Sequence, residues 1–250
     1  MQGWKRLPVA GTPNLRDLGG WAVPGGMTHY GVFLRSAMPR TLTAQESAFL
    51  RGYGLTTVLD FRSEQECLRA PDPLSGLDWV DYRNKPMFDA AAAGGALRIR
   101  PEAAFGWVPH YIRMLDERRS WMADVLRALA GAEGCALFHC TTGKDRAGLV
   151  SALLLQLAGV SEEDVVADYC VSEVYLRQVY AEMEEASRLC GGDIDSGFYR
   201  TEPAAMRAVL AWLAERFGGA AGYLRACGLT EAELDTLREK LTCTAGAVGV

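Results

Sequence analysis

The sequence has little lysine, no closely spaced cysteine pair and no long hydrophobic run. Only 4 of its 26 basic residues are lysine, and 31 acidic residues give a net charge of −5 over 250 residues. Nucleic acid and anionic membranes are therefore not expected as partners, because an acidic protein has no bulk attraction to them. Any anionic ligand must be held by local groups, and the 22 arginines favour planar, bidentate contacts.

The scattered cysteines argue against a zinc site, and two other absences argue against export and membrane insertion. The seven cysteines include no CxxC pair and no Cys/His spacing typical of zinc. The first residues, MQGWKRLPVAGTP, lack the apolar core of a signal peptide. The longest apolar stretch, GLVSALLLQLAGV at 148–160, is too short to cross a bilayer. We therefore expect a soluble, cytoplasmic protein with reduced thiols and no transmembrane segment, with leaderless secretion as the alternative.

Predicted strands and helices alternate through the first 160 residues, and helical patterns dominate the rest of the chain. Buried strands are predicted at LTTVLDF (55–61) and CALFH (135–139), and one amphipathic helix at 108–130. Thr43 and Glu46 have the spacing of a helix-capping box. Strands alternating with helices, followed by helices alone, predict an α/β fold with a central sheet flanked by helices and a helical C-terminal part.

No linker divides the sequence, so a single domain is predicted over residues 1–250. WAVP and YGVFLRS flank GGMTH (25–29), which predicts a short hairpin with a glycine-containing loop. The segment at 88–106 has no firm period and contains two adjacent glycines. It is predicted to be either a mobile loop that closes over substrate or a solvated connection. The tail at 243–250 is predicted to be frayed.

The strongest functional signal is FHCTTGKDRAGLV (138–150), a charged turn between a predicted strand and a predicted helix. Five residues separate Cys140 from Arg146, a spacing that is weak evidence alone because both residue types occur often here. At a strand-to-helix turn, however, successive backbone N–H groups can form an anion-binding cradle. Gly143 permits the unusual backbone dihedral angles that such a cradle needs, and Arg146 adds a planar fork matched to phosphate oxygens.

The same positive environment favours the thiolate form of Cys140. A thiolate there can attack a bound phosphorus and give a phosphocysteine, which water hydrolyses. This mechanism needs no metal and no other cofactor. His139 is interpreted as orienting the cysteine rather than acting as a base. The alternative interpretation is a buried structural cysteine beside a solvated charged turn.

Two other anion-binding loops fit the turn less well. A nucleotide-binding loop needs Gly at position 138 and Ser or Thr after GK, where this sequence has Phe138 and Asp145. A sulfur-transfer loop of the rhodanese type has one residue fewer between cysteine and arginine. Sulfur transfer remains an alternative, as does a phosphate-reading interaction module that binds phosphorylated partners without turnover.

The segment HCTTGKDRAG (139–148) resembles the HCxxGKDRxG signature of the atypical Cys-x5-Arg tyrosine/serine protein phosphatases of bacteria and fungi, some of which act on phosphoinositides. Other family motifs resemble GTPNLRDLGG (11–20), LRSAMPRTLT (34–43) and TVLDFRSEQE (57–66). The resemblance covers about residues 10–242. It implies a protein-tyrosine-phosphatase-like fold and a metal-independent phosphomonoesterase that works through a phosphocysteine.

The resemblance also implies supporting roles and shows one departure. The family usually has Thr or Ser where this sequence has Ala147. A hydroxyl there can hydrogen-bond the cysteine sulfur and assist breakdown of the phosphoenzyme, so its absence bears on the turnover rate and not on the reaction type. By resemblance, Asn14, Arg16 and Asp17 lie near the loop and support it. From the sequence alone, these three residues could merely form a turn.

The leaving oxygen needs a proton, so the reaction requires a general acid. Two aspartates are candidates. Asp145 lies in the loop itself, and the family resemblance favours it. Asp89 follows a predicted strand, which resembles the order in other dual-specificity phosphatases. Asp60, at the end of an earlier strand, is a third carboxylate expected near the site, with a role in bonding loop amides.

Phosphate binding is expected from the loop and its neighbours. The predicted binding residues are His139, Thr141, Thr142, Gly143, Lys144, Ala147, Gly148, Asp60 and Arg16. Lys144 either contributes to recognition of a charged phosphoinositide head group or steadies the phosphate as a surface lysine. A phosphorylated protein or a phosphoinositide is the expected substrate, and phosphate or sulfate is expected to bind the loop. The sequence leaves the preference among phosphotyrosine, phosphoserine/threonine and phosphoinositide open.

Overall fold

The structure, a computed structural model, describes residues 5–88, 106–191 and 200–242. The candidate acid Asp89, the predicted loop except its two end residues, and the predicted frayed tail lie outside the described residues. Whether the 88–106 segment closes over substrate therefore stays a prediction, as does the single-domain boundary at 1–250.

A five-stranded sheet lies at the centre of the described chain. Its strands run in the spatial order β1, β4, β7, β5 and β6, which are Arg16–Asp17, Phe33–Ala37, Cys135–Cys140, Leu55–Asp60 and Asp81–Asn84. The last four in this order are parallel, and β1 pairs antiparallel with β4. All residues of β4 and β7 are buried, as expected for central strands of a sheet covered on both faces.

Helices cover both faces of the sheet. They are α1 Ala44–Gly52, α2 Glu64–Arg69, α3 Trp107–Glu117, α4 Arg119–Ala130, α5 Arg146–Leu157, α6 Glu162–Tyr175, α7 Arg177–Leu189, α8 Pro203–Phe217, α9 Ala220–Ala226 and α10 Glu231–Leu241. Alternate residues of β7 enter two different cores. The larger core contains most of the helices, and the smaller lies beneath α1. This architecture confirms the predicted α/β fold with a helical C-terminal part.

Helix α5 explains the longest apolar run of the sequence. Ten of its twelve residues are buried, because it packs against β7 on one side and against α6, α9 and α10 on the others. A helix enclosed in this way is apolar all round. Among the helices of the described ranges, none combines the length and the apolar character needed to cross a membrane.

The predicted capping box of α1 is confirmed. The Thr43 hydroxyl accepts a hydrogen bond from the Glu46 N–H, and the Glu46 carboxylate accepts one from the Thr43 N–H. Helices α2 and α10 begin with the same motif. These reciprocal bonds satisfy N–H groups that have no partner within the first turn of a helix.

The single amphipathic helix predicted at 108–130 is wrong, because two helices meet there. The break falls at Arg118, whose φ of −115° and ψ of 32° are not helical. Helix α3 packs against α8, whereas α4 packs against α9 and α10, so each half follows a different neighbour. The apolar spacing continues in register through Arg118 and therefore cannot reveal the break.

The predicted hairpin is shorter than expected. Strand β2, Ala22–Val23, pairs with β3, Gly26–Met27, across a two-residue turn. Gly25 has a φ of +85° in this turn, a value that glycine adopts without strain. The later apolar segment instead forms β4 of the main sheet.

Candidate active site

The loop between β7 and α5 lies at the carboxyl edge of the sheet, where its parallel strands end. Strand β7 ends at Cys140, which is 1% exposed, and α5 begins at Arg146. Ligands of open parallel sheets bind at this edge. The intervening turn is not solvated, because Gly143 and Lys144 are buried. The interpretation of an ordinary solvated turn is therefore wrong.

Gly143 is required by both conformation and space. Its φ of +67° lies in the left-handed region, which other residues rarely adopt. A Cβ atom at this position would lie only 2.0 Å from the Ser36 carbonyl oxygen. The loop therefore packs directly on the backbone of β4, which fixes its height above the sheet.

A fully buried arginine, Arg35, holds the loop by hydrogen bonds to the loop's backbone carbonyl groups. Arg35 Nη2 donates hydrogen bonds to the Gly143 carbonyl at 2.6 Å and to the Lys144 carbonyl at 3.3 Å. Within the part of the chain that the structure describes, the backbone N–H groups of Thr141, Thr142, Gly143 and Asp145 have no hydrogen-bond acceptor. Four N–H groups in one turn are thus available to an anion.

The N-terminal segment supports the loop through a buried chain of polar contacts. Asn14, with a φ of 59°, donates from Nδ2 to the Thr142 carbonyl at 3.0 Å. Arg16 donates from Nη1 to the Asn14 carbonyl at 3.0 Å. The structure therefore places Arg16 beneath the loop, and its link to the loop runs through Asn14.

Asp168 of α6 joins the two buried arginines. Its Oδ1 lies 3.0 Å from Arg16 Nε, and its Oδ2 lies 2.6 Å from Arg35 Nη1. Burial alone would raise the pKa of Asp168, but the two arginines lower it to about 2. The network spans 152 positions of sequence and ties the loop to α6.

Arg146 is held by a carboxylate of α2. Its Nη1 and Nη2 lie 3.0 Å from the two Glu66 carboxylate oxygens, and Nη2 lies 2.9 Å from the Thr141 hydroxyl. Burial opposes the charge of Arg146, but Cys140 and Glu66 raise its pKa above the usual value. A bidentate ion pair fixes the guanidinium plane, so Glu66 orients the side chain that is expected to bind phosphate.

Lys144 is buried, so the sequence-based interpretation of it as a surface lysine is wrong. It is 1% exposed, and its ammonium lies 3.7 Å from the centre of the Trp107 ring. Nζ also donates to the Arg200 carbonyl at 3.3 Å. Burial lowers the pKa of Lys144. Cys140 is among the groups that raise the pKa of Lys144, Arg35 and Arg146. These three cationic side chains therefore lie close to its sulfur.

His139 and Asp60 lie below the loop in a second polar cluster. His139 Nε2 lies 3.0 Å from Asp72 Oδ2, and its Nδ1 lies 3.7 Å from Asp60 Oδ1. Asp60 also accepts hydrogen bonds from Arg62 and from the Tyr82 hydroxyl. Burial raises the pKa of Asp60, but His139 and Arg62 lower it well below its usual range.

The same cluster has the ligand types of a metal site. The ligand atoms of Asp60, Asp72 and His139 lie within 4.8 Å of one another. Both Asp60 oxygens, however, already accept bonds from the Arg62 guanidinium. Arg62 therefore already engages Asp60, so the three residues do not form a set of open ligands.

The remaining predicted binding residues lie at the start of α5 and on the rim of the loop. Ala147 is fully buried in the first turn of α5. A Cβ atom on Gly148 would lie 3.2 Å from Arg35 Nη2, so the lack of a side chain lets the arginine pass beneath the helix. The exposed Thr141 donates its hydroxyl to Glu66. Asp145 accepts a hydrogen bond from the Tyr111 hydroxyl at 2.5 Å.

The structure thus brings the loop residues 139–148 together with Arg16 and Asp60, while Asp89 lies outside the described residues. Sequence reasoning missed four contributors, which are Arg35, Glu66, Tyr111 and Asp168. Two of them lie within segments that resemble family motifs, at 34–43 and 57–66. For Tyr111 and Asp168, the sequence does not indicate the partners, because those partners are distant in sequence.

Comparison with known proteins agrees with this geometry. A model described as "Tyrosine phosphatase family" matches residues 7–243. A tyrosine-protein phosphatase of Nostoc commune is 30% identical over 222 residues, which are 84% of this chain and 74% of the relative. The triple specificity protein phosphatase PtpB of Mycobacterium tuberculosis is 25% identical and is matched over 94% of this chain and 97% of its own length.

Two further similarities are more limited. A putative tyrosine-protein phosphatase of Cupriavidus necator is 31% identical over 179 residues, which are 69% of this chain and 64% of the relative. A crystal structure of a cysteine-to-serine variant of P. aeruginosa TpbA in complex with pTyr is 19% identical, covers 83% of this chain and 84% of its own, and has a TM-score of 0.35. The family match extends over nearly the whole sequence, and the chain therefore belongs to the tyrosine phosphatase family.

Proposed function

We propose that the protein is a metal-independent phosphomonoesterase of the protein tyrosine/dual-specificity type that forms a phosphocysteine on Cys140. One observation carries the proposal: within seven consecutive residues at one sheet edge lie the Cys140 thiol, the Arg146 guanidinium and four N–H groups that have no acceptor among the described residues. The N–H groups suit the oxygens of a bound phosphate, and the Arg146 guanidinium, which Glu66 holds in place, adds a positive charge beside them.

The reaction proceeds in two displacements. The Cys140 thiolate attacks phosphorus, the S–P bond forms, and the P–O bond to the leaving group breaks as that oxygen takes a proton from the general acid. Water then attacks phosphorus and the S–P bond breaks. The general acid, which became a carboxylate when it lost its proton in the first displacement, accepts the proton from water. Inorganic phosphate leaves, and the thiolate and the acid are restored.

Asp145 is our proposed general acid. It lies in the loop itself, beside Arg146, and its side chain is 18% exposed. The family resemblance also favours Asp145, and Asp89 remains the alternative.

Phosphotyrosine is the substrate we favour, because the relatives named above are tyrosine-protein phosphatases. One relative is named a triple specificity phosphatase, so phosphoserine/threonine and phosphoinositides belong to the test. The buried position of Lys144 supports a role in steadying a phosphate within the loop more than a role in contacting the outer phosphates of a head group.

A cytoplasmic location is also part of the proposal. Six cysteines in the described ranges are all free, and the cytoplasm keeps thiols reduced. Cell fractionation followed by immunoblotting would test this location. Recovery of the protein mainly from the culture medium would contradict it.

The decisive experiment measures initial rates of phosphate release with a chelator present. The substrates are a phosphotyrosine peptide, a phosphoserine peptide and several phosphoinositides, each with the wild type, Cys140→Ser and Cys135→Ser. Cys135 is the matched control because it is a buried, free cysteine at the other end of β7. We expect release that is fastest from phosphotyrosine, is retained in Cys135→Ser and is lost in Cys140→Ser.

Other outcomes lead elsewhere. Turnover that survives in Cys140→Ser, or that requires added metal, overturns the mechanism. Binding of phosphopeptides without release of phosphate indicates the interaction module, and thiocyanate formation from thiosulfate and cyanide indicates sulfur transfer. A preference for phosphoinositides would make Lys144 the next residue to substitute.

A further inference from the structure

Asp145 occupies a helix-capping position without capping the helix. It is the N-cap residue of α5, yet its side chain makes no capping hydrogen bond. An N-cap aspartate usually accepts from a backbone N–H of the first turn, a contact that contributes about 1 kcal/mol to stability. Asp145 Oδ1 instead accepts from the Tyr111 hydroxyl at 2.5 Å. The carboxylate is thus held by α3 and not by its own helix.

Tyr111 belongs to a fully buried pair of tyrosines. Tyr111 and Tyr169 are 0% and 1% exposed, and their hydroxyl oxygens lie 2.8 Å apart. Burial and the nearby Asp145 raise the pKa of Tyr111 well above its usual value, so the phenol keeps its proton. A carboxylate can only accept, and a phenol has one proton to donate. Tyr111 therefore donates to Asp145, and Tyr169 donates to Tyr111.

The contacts of Asp145 use one carboxylate oxygen and leave the other open. Lys144 Nζ approaches the same Oδ1 that Tyr111 contacts, at 3.6 Å. In the described ranges, no hydrogen bond is made to Oδ2. An oxygen that already accepts a hydrogen bond from the Tyr111 hydroxyl is a poor site for the acidic proton. The proton that the acid transfers is therefore carried by Oδ2.

We propose that Tyr111, backed by Tyr169, is a positioning residue that fixes the Asp145 carboxyl group and directs its acidic proton to the oxygen open to the leaving group. The inference rests on the proposed function and deepens it, because it selects Asp145 over Asp89 as the general acid. It also assigns a role to the first turns of α3, which the sequence predicts only as part of an amphipathic helix.

The buried hydroxyls have no evident advantage for stability. Two tyrosine hydroxyls that bond only each other and a carboxylate can be replaced by phenylalanine together at little net cost, because no donor is then left buried alone. A positioned acid, in contrast, depends on its orientation, because reactivity falls steeply when reacting atoms are misplaced by about 1 Å. A positioning role accounts for the presence of this polar pair in the interior.

The test compares leaving groups that differ in their need for a proton. Phenyl phosphate releases a basic oxygen and needs the acid, whereas 2,4-dinitrophenyl phosphate releases a stable anion and does not. We expect Tyr111→Phe to lower kcat/KM on phenyl phosphate about 10-fold, a fraction of the roughly 100-fold or greater contribution of a general acid. The value of kcat/KM on 2,4-dinitrophenyl phosphate is expected to stay unchanged, because kcat/KM reports the first displacement and not the later hydrolysis, in which the same carboxylate accepts a proton. Tyr169→Phe should show the same pattern more weakly.

Tyr223→Phe is the matched control. Tyr223 is equally buried, and its hydroxyl donates to the Leu115 carbonyl of α3 at 2.7 Å. This variant loses a buried phenol that is bonded to the same helix, about one turn beyond Tyr111, at a backbone carbonyl and not at Asp145. We expect Tyr223→Phe to lower stability without changing the ratio of rates on the two substrates.

A double-mutant cycle with Asp145→Asn makes the result decisive. If Tyr111 acts through Asp145, adding Tyr111→Phe to Asp145→Asn will not lower the rate on phenyl phosphate further. Equal losses on both substrates, or a full further loss in the double variant, would overturn the positioning role. An Asp145→Asn enzyme that retains full activity would overturn it too while leaving the phosphatase function intact, whereas a wild type inactive on 2,4-dinitrophenyl phosphate would remove that function itself.

Discussion

The N-termini of α1 and α5 treat the same backbone groups in opposite ways. At α1, the side chains of Thr43 and Glu46 satisfy the exposed N–H groups reciprocally. At α5, Asp145 makes no capping bond, and the loop before the helix presents N–H groups without an acceptor in the part of the chain that the structure describes. One helix end is closed by its own side chains, and the other is left available to an anion.

The comparison shows where the support for an open helix end is located. The α1 cap lies within four consecutive residues and stabilises only its own helix. The α5 end is held from outside, by Arg35 and Asp168 beneath it and by Glu66 beside it. Unsatisfied N–H groups are costly, so an end that is kept free for a ligand needs a rigid frame drawn from the rest of the fold.

The largest effect is expected where the open end touches the sheet. Gly143→Ala places a Cβ atom 2.0 Å from the Ser36 carbonyl oxygen and forces a left-handed φ of +67° on alanine. The loop must move away from β4, and a shift of about 1 Å can reduce catalysis about 100-fold. The rate of phosphate release, and the affinity for phosphate measured by isothermal titration, should therefore each fall by at least that factor or become undetectable.

Gly131→Ala provides the control for this substitution. Gly131 follows α4 with a φ of −84°, and its nearest neighbour to a new Cβ atom lies at 3.5 Å. Alanine fits there without strain, so activity should stay at the wild-type level. A Gly143→Ala variant with normal activity would mean that the loop does not need its observed conformation.

The next effect concerns the frame beneath the loop. Asp168→Asn removes the charge that two buried arginines share, and a buried charge without its partner costs about 3 kcal/mol or more of unfolding free energy. Denaturant unfolding near pH 7 measures the loss. Asp124→Asn is the control, because that side chain is 64% exposed and lies 3.9 Å from Arg127. Equal stability of the two variants would contradict a structural role for the buried contacts of Asp168 with Arg16 and Arg35.

The pH dependence of the wild type follows from the same pair of arginines. They depress the pKa of Asp168 to about 2 in the folded protein, below its ordinary value of 3.8. A depressed folded pKa gives stability that is complete above pH 4 and is lost as the pH falls towards 2. Acid unfolding of the wild type should therefore be steeper between pH 4 and 2 than that of Asp168→Asn.

The sequence predicts the local parts of this comparison. Thr43 and Glu46 lie three positions apart, and the loop is a contiguous motif between a predicted strand and a predicted helix, so local patterns identify both. The sequence does not predict the buried contacts that support the loop. Arg16 and Asp168, for example, lie 152 positions apart and look like ordinary charged residues until the fold joins them. Burial of Lys144 was missed for a similar reason, since Trp107 and the Arg200 carbonyl come from distant segments.

The helices show the same limit. Apolar spacing identifies α3 and α4 as one pattern because it reports which face is buried and not which neighbour buries it. The break at Arg118 and the position of Tyr111 against Asp145 depend on the packing of α3 on α8. Tertiary packing therefore decides both the direction of this helix and the residue that reaches the loop.

A smaller effect is expected at the side of the open helix end. Glu66→Gln keeps the capping box of α2, which accepts glutamine at this position, but replaces the ion pair with Arg146 by neutral contacts. We expect kcat/KM on a phosphotyrosine peptide to fall about 10-fold, equivalent to about 1.4 kcal/mol, close to the lower end of the range for a hydrogen bond to a charged group. Glu64→Gln, an exposed change in the same helix, should have no effect. Similar rates for both variants would show that Arg146 does not need Glu66.

The smallest effect tests the closed end against the open one. Thr43→Ala removes the capping hydroxyl of α1 and should lower the unfolding free energy by about 1 kcal/mol while kcat stays unchanged. Asp145→Asn should do the reverse, because its side chain does not cap α5 but supplies the proposed acid. Urea unfolding and phosphate release, measured on both variants, separate the two roles. If Thr43→Ala lowers activity, or if Asp145→Asn lowers stability as a lost cap would, the two helix ends do not divide stability and catalysis between them.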